Sequence, residues 1–155
     1  MIQLFRDTVS ISNFQSVYIN FYHEMTATTY PPLFSFTSQL SGKTLNALPK
    51  STNYTNKERY VIVQFIPFGF NLPNIGVLDM GNTDYPYGMY DVTAYQNNSG
   101  SNLDPDNAIK TIWNGLMNLR PETTNEAVNY TEYTNNDSEN ESVYITAVAN
   151  NWYEL

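Results

Sequence analysis

The 155-residue sequence contains no cysteine. That absence excludes a disulfide framework, thiolate metal sites, iron–sulfur ligation and cysteine nucleophiles together. A single histidine, His23, is present. Multi-histidine metal sites cannot be assembled within one chain, and a serine–histidine triad has one candidate base. Charged residues reach only 14%, against roughly 25% in an average domain. The seven basic residues (Arg6, Lys43, Lys50, Lys57, Arg59, Lys110 and Arg120) are scattered and form no stripe, so no nucleic-acid partner is expected. No apolar run approaches the roughly 18–20 residues of a membrane span, and no basic leader precedes an apolar core in the manner of a secretory signal. Gly69, Gly76 and Gly81 lack the Lys-Ser/Thr sequel of a phosphate loop. No cofactor and no catalytic residue follow from this inventory, and the chain reads as a non-enzyme.

What is present is aromatic and polar. Thirteen Tyr, eight Phe and two Trp bring the aromatic content to 15%. A chain of this length suits one ordinary domain and buries roughly 68–70% of its unfolded surface, enough for a core without staples. The net charge of −8 is unevenly placed: residues 1–121 hold seven bases and eight acids, whereas residues 122–155 hold seven acids and no base. Pro121 marks the change, and residues 135–141 are almost wholly polar, a composition that cannot bury enough apolar area to order itself. The organisation expected is a domain over residues 1–121 followed by an acidic C-terminal extended arm over residues 122–155. Five Asn-x-Ser/Thr sequons, beginning at Asn53, Asn97, Asn129, Asn136 and Asn140, are what an Asn- and Thr-rich chain contains by chance, and read as unmodified.

The hydrophobic period is two. Residues 16–24 alternate Val17, Ile19 and Phe21 against Tyr18, Asn20 and Tyr22, the signature of a strand with one buried face. Residues 33–39 alternate Phe34 and Phe36 against Ser35 and Thr37. Residues 59–66 are nearly continuously apolar and β-branched, which suits a central strand covered on both faces and ended by Pro67. Residues 75–79 form a weaker candidate and residues 88–96 a clear one. In residues 108–120, Ile109, Ile112, Leu116 and Leu119 also fit helical spacing; the flanking strands and Gly115 favour a strand with a bulge at that glycine. Short strands at this spacing indicate an antiparallel sandwich or barrel. Two long connections, residues 26–32 and 67–86, read as exposed contact surfaces. Within the arm, residues 128–133 and 142–149 are strand-like, and the second either closes a hairpin on the first or adds to a neighbouring subunit's sheet.

Chemistry-bearing clusters are sparse. Alternation places His23 and Glu24 on opposite faces, so they form no dyad and His23 reads as an ordinary strand-end residue. Asp104-Pro105-Asp106-Asn107 and residues 137–141 bunch oxygen ligands, yet neither has the turn glycine and spaced bidentate acid of a calcium loop. No carboxylate pair is singled out for glycoside cleavage. The aromatics carry more weight, because Tyr and Trp are favoured at interfaces and as platforms for sugar rings. Tyr30, Tyr85, Tyr87 and Trp113 lie near turns or ends, with Tyr85, Tyr87 and Trp113 as the stacking candidates. Trp152, Tyr153 and Leu155 end the acidic arm as an anchor, and Tyr144 and Ile145 lie in its better strand.

Three stretches together resemble a known group: Glu58-Arg59-Tyr60 entering a strand, residues 87–96 followed by a Ser/Asn/Gly loop, and Asn102-Leu103-Asp104-Pro105 leading to Gly115-Leu116. They are similar to small proteins of bacteriophages that infect Bacteroidetes hosts, over roughly residues 14–120. The resemblance implies an immunoglobulin-like or jelly-roll-like β-sandwich that serves as a virion component. The role implied is attachment to the capsid, as a decoration, vertex or spike-base protein, or to the head–tail apparatus. Other virion proteins and further copies of the chain would be its partners. The expected location is the virion, after synthesis in the bacterial cytoplasm. The longer connection at residues 67–86 and the C-terminal arm depart from the group's pattern. The reading from a different class is a carbohydrate-binding receptor-recognition module of a phage fibre or cell surface.

Overall fold

The fold is given by a computed structural model that describes residues 1–7, 10–72 and 75–121. Nine strands follow in order: β1 (Ile2–Phe5), β2 (Gln15–Ile19), β3 (Leu33–Ser38), β4 (Thr44–Ala47), β5 (Thr52–Asn53), β6 (Val61–Pro67), β7 (Val77–Leu78), β8 (Gly88–Gln96) and β9 (Lys110–Arg120). One sheet has the order β1-β9-β8-β3-β4; the other has β2-β6-β5, with β7 parallel to the end of β6. All remaining pairings are antiparallel except β1 on β9, which is parallel. Strand exchange of this kind, with β2, β6 and β5 facing β3, β4, β8 and β9, is the order of an immunoglobulin-like sandwich. The chain is therefore an all-β sandwich. The expected arm, with Tyr144, Ile145, Trp152, Tyr153 and Leu155, lies outside the described residues.

Alternation sorts the side chains as the period requires. Val17 and Ile19 of β2, Val61, Val63 and Phe65 of β6, and Tyr90, Val92 and Ala94 of β8 are all buried between the sheets. The centre is aromatic. Phe65 meets Phe34 and Phe36 of the opposite sheet edge-to-face, with ring centroids 5.1 and 5.4 Å away, the geometry preferred by ring quadrupoles. Tyr90 is fully buried, and its hydroxyl donates to the Pro86 carbonyl at 2.6 Å. A tyrosine near the start of this strand bonding back upstream is the corner of the immunoglobulin fold, two residues before the second cysteine of its inter-sheet disulfide. Here that position holds Val92, so packing replaces the bridge.

Several expectations are corrected. The expected strand 16–24 stops at Ile19, and Tyr22–Glu24 forms a 3₁₀ turn closed by Met25 N–H on the Tyr22 carbonyl. His23 lies on that turn. The chain has to leave its sheet to cross toward β3, although Phe21 still buries its ring and so prolongs the period. Among the described residues β6 is covered on both faces only toward its end, where Phe65 and Ile66 are both buried, while Ile62 and Gln64 remain partly exposed on the outer face of this three-strand layer. Residues 110–120 are a strand, but the register shift falls between Thr111 and Trp113, opposite Ala94 and Tyr95, while Gly115 pairs regularly with Val92. Glycine is needed there for another reason: a Cβ would collide with the Trp113 indole lying over it.

The connection at residues 67–86 is pinned rather than loose. Val77, Leu78 and Met80 are fully buried. Arg6 donates from Nε to the Phe68 carbonyl at 2.8 Å and from Nη1 to the Gly81 carbonyl at 2.9 Å. Gly76, at φ +69°, passes so near the Lys50 and Gln64 backbones that a side chain has no room. Its exposed parts among the described residues are the tip carrying Phe70 and Leu72 and the turn at Thr83 and Asp84.

Candidate functional site

The register places three connections at one end of the sandwich. Leu33 pairs with Tyr95, and Phe34 with both Ala47 and Ala94, so residues 20–32, 48–51 and 97–109 emerge together. Immunoglobulin-type recognition uses this arrangement of loops on a rigid sandwich. Each loop is fixed locally. Buried Gln96 ties the first to β8, accepting from Thr26 N–H at 2.9 Å and donating to Thr26 Oγ1 at 2.8 Å. Buried Asn97 bridges the third, donating to the Asn102 carbonyl and accepting from Asn102 Nδ2. Asp104 spends both carboxylate oxygens on the following turn, accepting from Asp106 N–H and Asn107 Nδ2. The oxygen cluster at residues 104–107 is thus a turn cap, and no group of metal-ligating side chains occurs among the described residues.

Between these loops lies a pocket of about 310 Å³, lined by Thr28, Tyr30, Leu48, Lys50, Thr52 and Tyr54 among others, with Gly100 opposite Tyr30. Tyr30 is 42% exposed. Burial pushes the Tyr54 hydroxyl up to about 12, and neighbouring Tyr22 adds to the shift; the group is a neutral donor at every physiological pH. Thr52 Oγ1 is buried without a hydrogen-bond partner. A buried polar atom in that state costs about 1–3 kcal/mol unless something fills it. Lys50 directs its ammonium over the Phe14 ring, 5.6 Å from the centroid. The pocket therefore offers ring faces and hydroxyls, and suits a neutral, hydroxyl-bearing group.

A second concavity, about 340 Å³, opens along the side of the sandwich between β1 and β2, lined by Met1, Ile2, Gln3, residues 16–20 and Trp113. Trp113 is half-buried, packed against the core on one side and reaching this groove on the other.

The stacking candidates do not converge. Tyr85 packs on the core and donates its hydroxyl to the Thr44 carbonyl at 3.2 Å, a structural contact. Tyr87 lies beside Arg6 and Gly81, with Arg6 Nη1 3.5 Å from its hydroxyl. Trp113 pairs with Ala94, seven positions along β8 from Tyr87, which is roughly 23 Å of strand. Tyr30 sits at the loop end, as its connection suggests. Tyr54, Thr52 and Thr28 escape sequence reasoning because a Ser/Thr/Asn-rich stretch reads simply as loop; a lone Tyr within it is the available signal. No protein-family model, no curated protein and no solved structure matches this chain.

Proposed function

We propose that this chain is a non-enzymatic structural component of a bacteriophage particle, an immunoglobulin-like module that attaches to the capsid or the head–tail apparatus. The observation that carries the reading is the loop end: the connections at residues 20–32 and 97–109, locked by Gln96, Asn97 and Asp104, hold Tyr30 on a rigid scaffold, with Tyr54 just after β5 lining the same pocket. Rigid Tyr-bearing loops bind macromolecular surfaces at low entropic cost. Particle symmetry repeats each contact, so weak docking accumulates through effective concentration. The resemblance over residues 14–120 supports the same role, with other virion proteins as partners and the virion as location. Gradient-purified particles of the encoding phage, analysed by mass spectrometry, are expected to hold the chain at a fixed ratio to the major capsid protein. Recovery of the chain solely from the soluble lysate would overturn the reading.

The unpaired Thr52 hydroxyl favours one second reading, a carbohydrate-binding module, now centred on the Tyr30–Tyr54 pocket. Glycan-array binding lost in Tyr30→Ala would support it, and an array without binding would remove it.

A further inference from the structure

Sheet edges are liabilities that folded proteins cover, bulge or charge. The edge of β2 is none of these among the described residues. Gln64 directs its N–H and C=O toward the β5 side, bonding Ser51 and Lys50. In the register Ser16↔Gln64 and Val17↔Val63, the groups of β2 that face β6 are therefore those of Gln15, Val17 and Ile19. Antiparallel ladders alternate, so Ser16 and Tyr18 turn their N–H and C=O groups outward into the side groove. One end of that groove is closed by the chain itself: the Gln15 side-chain amide accepts from Phe5 N–H and donates to the Phe5 carbonyl, a side chain standing in for a strand. Beyond it the edge is open, the Trp113 ring reaches the same groove, and Tyr18 stands 61% exposed beside it.

We infer that this open edge is an acceptor for an added β-strand, and that the donor is residues 142–149 of a second copy of the chain. That segment, Ser-Val-Tyr-Ile-Thr-Ala-Val-Ala, alternates in sequence. Val143, Ile145, Ala147 and Ala149 form an aliphatic set of modest size that suits a groove lined by Val17, Ile19 and Trp113. Ser142, Tyr144, Thr146 and Val148 form the opposite set, polar at three of its four positions, which suits the solvent side that Ser16 and Tyr18 share. Main-chain bonds supply affinity in such strand addition and the alternate side chains supply specificity. β9 ends at Arg120, whose carbonyl accepts from Arg6 N–H, beside the start of β2. The 21 residues 121–141, about 70 Å when extended, carry the segment well past the roughly 17 Å of five-residue β2 and so within reach of a neighbouring copy, which the repeated contacts of an assembled particle place alongside.

The inference rests on the assembly reading and names its self-contact. A cysteine-free chain makes the test direct. Full-length chain carrying a nitroxide at Thr146→Cys, unlabelled in nitrogen, is mixed with ¹⁵N-labelled wild type. Light scattering is expected to show an oligomer, and the Ser16 and Tyr18 amide signals are expected to broaden selectively in the mixture. Ser16→Pro removes an outward N–H without touching the β2–β6 ladder, and is expected to abolish both effects. Ile145→Asp, a change in the donor segment, is expected to do the same if the proline variant misfolds. A monomeric full-length chain, broadening confined to label and ¹⁵N on one chain, or broadening elsewhere would each overturn the inference. None of those results bears on particle incorporation, which the loop end can support alone, and failed incorporation would leave edge pairing measurable in purified protein.

Discussion

Replacing Tyr90 with Phe removes one oxygen and leaves the ring volume intact. The lost bond is the 2.6 Å donation to the Pro86 carbonyl, made by a side chain with no solvent exposure. A hydrogen bond between neutral groups contributes about 1 kcal/mol net, and leaving a shielded carbonyl unpaired raises the loss to about 1–3 kcal/mol. The unfolding entropy of a domain of about 120 residues is about 0.25 kcal/mol/K, so Tm should fall by roughly 4–12 °C. Tyr90→Ala adds a ring-sized cavity between the sheets and should cost about 3–5 kcal/mol. Urea unfolding with unchanged slope, followed by calorimetry, measures both variants. A Tyr90→Phe chain as stable as wild type, beside a strongly destabilised Tyr90→Ala chain, would refute the corner's role and reduce Tyr90 to a space-filling ring.

Burial raises both Tyr54 and Tyr90 from the ordinary 10 to about 12. The fold favours their neutral forms, so stability is fully present below about pH 10 and is lost as pH climbs from 10 to 12; urea midpoints across that range should fall, less steeply in Tyr90→Phe. Gly115→Ala drives a methyl into the Trp113 ring and should cost about 1–3 kcal/mol. In a Trp152→Phe background Trp113 is the sole tryptophan, and its emission should move to the red; an unmoved spectrum would contradict the packing. Arg6→Ala frees the Phe68 and Gly81 carbonyls and should speed amide exchange at Gly81 and Met80 while sparing β3 and β8. Tyr30→Ala should leave the unfolding free energy within about 0.5 kcal/mol of wild type, since an exposed ring supports little of the core.

The sandwich is legible where period two runs long enough, at residues 33–38 and 88–96, and in the continuous apolar, β-branched run around residues 61–67. β1, β4 and β5 were not legible. Each has four residues or fewer, too few to establish a period, and β1 is held by a parallel pairing with β9, more than a hundred positions away. The fate of Gly115 shows a different limit. Its presence suggested a bulge, but the cause is a ring two residues earlier in the same strand, a packing relation that composition does not encode. The loop-end pocket draws on three separated stretches, residues 28–31, 48–54 and 100, whose convergence depends on strand register. Trp113 is grouped by sequence with Tyr85 and Tyr87 as a stacking face, but it lines the side groove while the fold holds those two toward the opposite end of β8.

The central claim is that this sandwich docks on a particle through its loops. Cryo-electron microscopy of purified particles measures it most directly. The account predicts sandwich-shaped density at symmetry-repeated positions, with Tyr30 and the connections at residues 48–51 and 97–109 against a neighbouring virion protein. Particles lacking such density, or density contacting its neighbour solely through the outer face of β8 at Asp91 and Thr93, would contradict it.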